Sequence, residues 1–213
     1  MAARTATLFD SRADAGRQLA ALVDPARFAD PLVLALPRGG VPIGAELARA
    51  LAAELDVLAT RKIGLPWRPE QGVGAVVAGA DPVYDPALLR LAGLEPGDLE
   101  PLARREQAEA VRRRDRYRGD RPPPRITGRA VIVADDGLAT GVTARAALAA
   151  VAAQLPSALV LAVPVAAEDT AEAIERDLAP VIAVHRLAAF GAVGRWYALF
   201  PQVSDAEVLE LLG

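Results

Sequence analysis

The chain has 213 residues, 53% of them hydrophobic, a net charge of −3 and no cysteine. This length and apolar content suit one well-buried α/β domain with a small extra lobe and exclude a disordered chain. The charge gives no global pull toward nucleic acid or an anionic membrane, and the lack of cysteine excludes disulfides, thiolate metal sites and cysteine nucleophiles, in keeping with a reducing, cytoplasmic setting.

In chain order, Met1 to Thr7 shows no apolar leader core. Asp10-Ser11 offers a helix cap, and Leu19, Leu22 and Val23 give an apolar stripe for a helix over about 12–23. Residues 32–36 read as an all-apolar strand, followed by the turn Pro37-Arg38-Gly39-Gly40 and a helix from Val41 to Leu55. Asp56–Thr60 and Val73–Ala78 read as the second and third strands, and Pro66–Gly72 between them as a mobile surface loop. Helices are predicted over 86–91 and 99–118, with Arg121-Pro122-Pro123-Pro124-Arg125 as a stiff linker. A buried strand, 130–134, precedes a helix over 143–154. Strand, helix and strand follow at 158–163, 171–179 and 181–184, and Ser204-Asp205-Ala206-Glu207 is a capping box for a last short helix. The apolar stretch 144–167 is broken by Gln154, Pro156, Ser157 and Pro164, so it cannot present ~20 uninterrupted apolar residues to a bilayer. Strands apolar on both faces, alternating with helices, predict a mostly parallel sheet flanked by helices, with ligands beyond the carboxyl ends of the strands.

The most informative of those ends is Asp135-Asp136-Gly137-Leu138-Ala139-Thr140-Gly141-Val142-Thr143. Amides and hydroxyls at a helix start suit a phosphate, and Gly141 allows close approach. Two carboxylates just before suit the hydroxyls of a ribose or waters on a bound Mg²⁺. Phosphate at one end and diol at the other describe a ribose 5-phosphate. This is not a P-loop, since no Gly-Lys-Ser/Thr is present. Arg38-Gly39-Gly40 offers main-chain N–H groups and a guanidinium fork for a second phosphate. Of the 24 basic residues all but Lys62 are arginine, which makes that lysine a pointer to chemistry that wants a compact charge.

The segment 132–143 resembles the diphosphate-sugar binding signature of type I phosphoribosyltransferases, with Gly137 where many members carry an aliphatic residue. Leu36 to Gly40 resembles the family's pyrophosphate loop, and Arg61-Lys62-Ile63-Gly64-Leu65-Pro66 a segment of its adenine and orotate branches. The likeness runs from about residue 8 to the end and is strongest to a bacterial group whose acceptor is unspecified.

The resemblance implies one phosphoribosyltransferase-like domain over 1–213, with a small hood from about 185–213 and part of the N-terminus. It implies Mg²⁺-dependent transfer of a phosphoribosyl group from 5-phosphoribosyl-1-diphosphate to a nitrogen acceptor such as a nucleobase, with release of pyrophosphate. Asp135, Asp136 and Lys62 are then the catalytic candidates, the two carboxylates meeting the metal through water. Arg38, Gly39, Gly40 and Arg61 serve the pyrophosphate, with a cis bond at Pro37–Arg38, and Ala139, Thr140, Gly141, Val142 and Thr143 clamp the 5-phosphate. Phe190, one of four aromatics within eleven residues in a chain with nine, is the stacking candidate for the base. His185, the single histidine, reads as structural.

A non-catalytic donor-binding regulatory module and a hydrolase using the same donor site are the rival readings. A homodimer is allowed, a membrane partner is not expected, and nucleic acid is disfavoured. Segment 104–129 holds ten arginines against Glu106, Glu109, Asp115 and Asp120, but without interleaved aromatics it reads as a solvated, salt-bridged helix.

Overall fold

The structure is a computed structural model and describes residues 7–213. Helix α1 (Arg12–Ala20) is capped by Ser11, whose hydroxyl accepts from the Asp14 amide. Strand β1 (Pro31–Ala35), helix α2 (Gly40–Leu51) and strand β2 (Glu54–Val57) follow, then strands β3 (Thr60–Leu65), β4 (Arg68–Val77) and β5 (Val83–Tyr84). Helices α3 (Pro86–Ala92) and α4 (Glu100–Arg118) lead to β6 (Ala130–Ala134), α5 (Val142–Ala152), β7 (Ala158–Ala167), α6 (Glu168–Asp177), β8 (Val181–Leu187) and α7 (Asp205–Leu212).

Five strands form a parallel sheet in the order β2-β1-β6-β7-β8. Their side chains alternate between two cores. Val33 and Ile132 pack with Leu19, Ile43 and Leu47 of α1 and α2, whereas Leu32, Leu34, Val131 and Val133 pack with Leu148 of α5 and Ile174 of α6. Burial of both faces is what made these strands continuous apolar runs. Pro164 is tolerated in β7 because β7 pairs with β6 only as far as Ala162, leaving that edge without a ladder partner at residue 164.

Four expectations are corrected here, the first being the helix 41–55, which stops at Leu51 while Glu54 and Leu55 open β2. The expected strand 56–60 is divided, with β2 ending at Val57 and β3 starting at Thr60. The expected third strand of the parallel sheet belongs to a separate three-stranded antiparallel sheet, β3-β4-β5. The expected loop at 66–72 is a two-residue turn, Pro66-Trp67, followed by the start of β4. Gly64 permits that hairpin, since a Cβ there would lie 2.0 Å from the Pro69 carbonyl oxygen. This second sheet packs on α3 and α4 through Ile63, Val73, Val76, Leu89, Leu99 and Ala110.

The two ends of the described chain meet. Phe9 bridges to Tyr197, and the Leu8 and Ala198 amides donate to Trp196 and Phe9 carbonyls at 2.8 Å. The ten arginines of 104–129 all have a carboxylate within 4.0 Å, so the salt-bridged reading of this segment holds. Hydrogen bonds from Arg112 and Arg113 hold the Glu109 carboxyl down to about 2. Among the described residues no helix is long and apolar enough to cross a membrane.

One of these pairs is deeply placed. Asp56, 4% exposed, accepts from Arg118 Nε at 3.0 Å and Nη2 at 2.7 Å and ties α4 to β2. Asp56→Asn leaves the Arg118 guanidinium without its charged partner and is expected to cost about 3 kcal/mol, read from urea unfolding midpoints.

Candidate functional site

From β1 the sheet order runs to β2 on one side, and from β6 to β7 and β8 on the other, so direction reverses between β1 and β6. A doubly wound sheet binds ligands at such a reversal. Ala35 pairs with Ala134, so the turn after β1 and the loop after β6 leave the sheet side by side.

These two loops are in close contact. A Cβ on Gly39 would stand 2.0 Å from Asp136 Oδ2, and one on Gly40 2.6 Å from the Ala134 carbonyl oxygen. The glycines are thus required by the approach of the loops. The Gly40 amide donates to the Leu36 carbonyl at 3.0 Å and is engaged within the turn, so the expectation that both glycines expose N–H groups is corrected to Gly39. The Pro37–Arg38 bond is cis. The Arg38 guanidinium lies 3.6 Å from Asp205 on α7 and is not among the groups lining the cavity that Pro37 and Gly39 line.

Asp135 and Asp136 are half-buried at the end of β6. Asp135 Oδ1 accepts the Asp136 amide at 2.8 Å. Burial pushes the Asp135 carboxyl well above the usual range and the Asp136 charge adds to this, against Lys62 and Arg12. Burial also raises Asp136, against its hydrogen bond from Arg12. Arg12 Nε donates to Asp136 Oδ2 at 2.8 Å and Nη1 to the Pro201 carbonyl at 2.7 Å, while its guanidinium carbon lies 3.7 Å from the centre of the Phe200 ring. Tyr197, kept protonated by burial, donates to the Asp136 carbonyl at 2.6 Å. Arg12 and Tyr197 were missed in the sequence. Nothing local marks a residue that acts from over 60 positions away, as Tyr197 does.

Beyond the carboxylates the loop turns into α5 at Gly141, which has φ +74°, and a Cβ there would lie 2.8 Å from Thr170 Cγ2. The Thr170 hydroxyl donates to the Ala139 carbonyl at 2.8 Å, which fixes the loop from α6. The first-turn amides of α5 lack intrahelical acceptors, and Gly141 and Thr143 line a small cavity beside them, whereas Val142 is buried against Ala75, Val77 and Ala146. Gly137 is explained by its neighbour, since a Cβ would stand 2.6 Å from Val193 Cγ1.

Two adjoining cavities result. One of about 200 Å³ is lined by Asp136, Ala139, Thr140, Gly141 and Val193, the other of about 550 Å³ by Gly39, Thr60, Arg61, Arg105, Glu106 and Arg113. Lys62, Asp135 and Thr143 line both. Arg61 is bound to Glu106 at 2.8 Å in the wall of the larger one. Phe190 lines neither. It is 6% exposed, packed in the core against Trp196, and its carbonyl accepts the Trp196 indole N–H at 3.1 Å, so its assignment as a stacking platform is corrected. His185 lies against the Phe9 ring, in the structural place expected of it.

The comparisons with known proteins agree with this geometry. The family described as phosphoribosyl transferase domain matches residues 5–185, and the chain belongs to that family. It is similar to a Thermus thermophilus protein, TT1426, at 40% identity and a TM-score of 0.81, over 96% of this chain and 97% of that one. Two Mycobacterium tuberculosis proteins, each named "Putative phosphoribosyl transferase", are 39% identical over 96% of this chain. The chain spans about half the length, 46%, of these curated relatives. A hypoxanthine-guanine phosphoribosyltransferase from Bacillus anthracis shares the fold, at 14% identity and a TM-score of 0.51, over 87% of this chain and 85% of that one.

Contact between the two loops can be tested by volume. Gly39→Ala is expected to displace Asp136 from Arg12 and to destabilise by about 1–3 kcal/mol in denaturant unfolding. Gly97→Ala, where nothing lies within 4 Å of the added Cβ, is the control, with a change under about 0.5 kcal/mol.

Proposed function

We propose that the chain transfers a 5-phosphoribosyl group from 5-phosphoribosyl-1-diphosphate to a nitrogen acceptor, a nucleobase by class, and releases pyrophosphate. The observation that carries this reading is the sharing of Lys62, Asp135 and Thr143 by two polar cavities. A sugar at that shared boundary has its 5-phosphate directed to the Ala139–Thr143 turn and its diphosphate to the larger cavity. Its hydroxyls face the two carboxylates.

In this reading Thr140 and Thr143, with the first amides of α5, clamp the 5-phosphate. Asp135 and Asp136 accept from the ribose hydroxyls and face the positive charge that develops at C1 as the C1–oxygen bond lengthens. Pyrophosphate departs with the bonding pair, and Lys62 and the Gly39 turn meet its growing charge. The acceptor nitrogen forms the new bond to C1 from the opposite face and gives its proton to solvent. Positioning and preorganised charge supply most of the rate.

The carboxylates also fit a divalent ion. Two half-buried neighbouring acids, pushed upward by burial and offset by Lys62 and Arg12, gain from a cation held near them. Mg²⁺ is characteristically bound through one or two carboxylates with substrate phosphates and water, and no larger acid or histidine cluster exists among the described residues. Asp135 and Asp136 would hold it through water, and when bound it would neutralise diphosphate charge.

The test is calorimetric titration with the donor in magnesium buffer, followed by a screen of purine and pyrimidine acceptors read by pyrophosphate release. Asp135→Asn combined with Asp136→Asn is expected to keep the fold and weaken donor binding by about tenfold or more, since the sugar loses charged acceptors. Unchanged affinity in the folded double variant refutes the assignment.

A further inference from the structure

The larger cavity has one face, on α4, to which the donor reading gives no task. Helix α4 turns one face toward it, bearing Leu102, Arg105, Glu106 and Arg113. Their spacing of three, four and eleven residues places them on one helical stripe. Glu106 is 6% exposed, and each of its oxygens holds a different guanidinium. Arg61 from β3 approaches Oε2 through Nε and Nη2, both at 2.8 Å. Arg105 approaches Oε1 through Nε at 3.2 Å and Nη2 at 2.9 Å. Both forks are therefore fixed by one buried carboxylate, and each has Nη1 left for another acceptor.

Lys62 lines the same cavity, and Arg113 stands further along the stripe with Glu109 as its own partner at 2.9 Å. Besides Glu106 and Asp135, the carboxylate in this lining is the exposed Glu70 of β4, so cations predominate. Two planar guanidiniums held on one acid suit an acceptor with several oxygens in a fixed array, such as a phosphate.

Resting on the donor reading above, we propose that Arg105 of α4 joins Arg61, which the family resemblance already assigns to the pyrophosphate, in a subsite for the terminal phosphate of the diphosphate. The diphosphate is thereby gripped at both ends. The inner phosphate meets the turn after β1, and the outer one meets the arginine pair of β3 and α4. Arg105 is thus a binding residue within a segment whose other arginines serve ion pairs of the fold.

Calorimetric titrations of the whole chain in magnesium buffer, with inorganic pyrophosphate and separately with ribose 5-phosphate, test this. The Arg105 side chain is 71% exposed, so Arg105→Ala leaves the fold intact, as a thermal melt verifies. It is expected to weaken pyrophosphate about tenfold and to leave ribose 5-phosphate unchanged. Arg105→Lys, which keeps the charge and loses the fork, should recover part of the loss. Equal pyrophosphate affinity in wild type and Arg105→Ala overturns the subsite while the donor site stands. An equal loss for both ligands also overturns it, because that is a general charge effect. A wild-type chain that binds neither ligand removes the donor reading itself, and the subsite with it.

Discussion

Two adjacent carboxylates at the end of β6 are the constraint around which the site is arranged. Asp135 and Asp136 sit where water is partly excluded, and like charges so placed disfavour ionisation. The chain answers with groups drawn from distant elements. Arg12 comes from α1, Lys62 from β3, and Tyr197, from near the carboxyl end, fixes the backbone of Asp136. Each of these contacts also ties a part of the fold to the sheet. Arg12 brings in Pro201 and Phe200, and Tyr197 brings in Phe9, so the chain ends are held through the acid pair.

The parallel sheet was legible because both of its faces are buried. Runs such as Ala130–Ala134 are apolar at every position, and the loop after that run carries its own chemistry in adjacent residues. The antiparallel sheet was not legible. In β4, Arg68 to Gln71 are exposed and three of the four are polar, and only Val73 to Val77 are buried. The first half therefore looked like a loop and the second like a strand of the main sheet. The hairpin depends on Gly64 passing close to Pro69, a contact with no pattern in sequence. Phe190 was misread for a related reason. An aromatic near a strand end is equally compatible with a platform and a plug, and the contact with Trp196 decides for the plug.

The glycines show how far a motif can be taken. Gly39, Gly40 and Gly141 matched a phosphate-binding pattern, yet what requires them is mutual approach. Gly39 makes room for Asp136, Gly40 for the Ala134 carbonyl, and Gly141 for Thr170. Gly137 follows the same rule where the chain departs from its family. The space that an aliphatic side chain would occupy after the acid pair is filled by Val193, from the segment after β8. Family-level patterning and local packing therefore agree at Gly141, while at Gly137 packing explains the departure.

The single lysine is best understood against this background of arginine. The arginines of α4 are held by carboxylates, and a guanidinium so fixed presents its donors in one orientation. That suits recognition of a group whose position does not change. Among the described residues Lys62 has no ion pair with a carboxylate, and its stem runs along Gly72, whose added Cβ would meet Lys62 Cδ at 3.4 Å. An ammonium on a flexible stem can follow a charge that moves. In the reaction proposed above, where negative charge builds on a departing diphosphate, fixed forks would serve the ground state and a point charge beside Asp135 would serve the transition state, where differential stabilisation raises the rate.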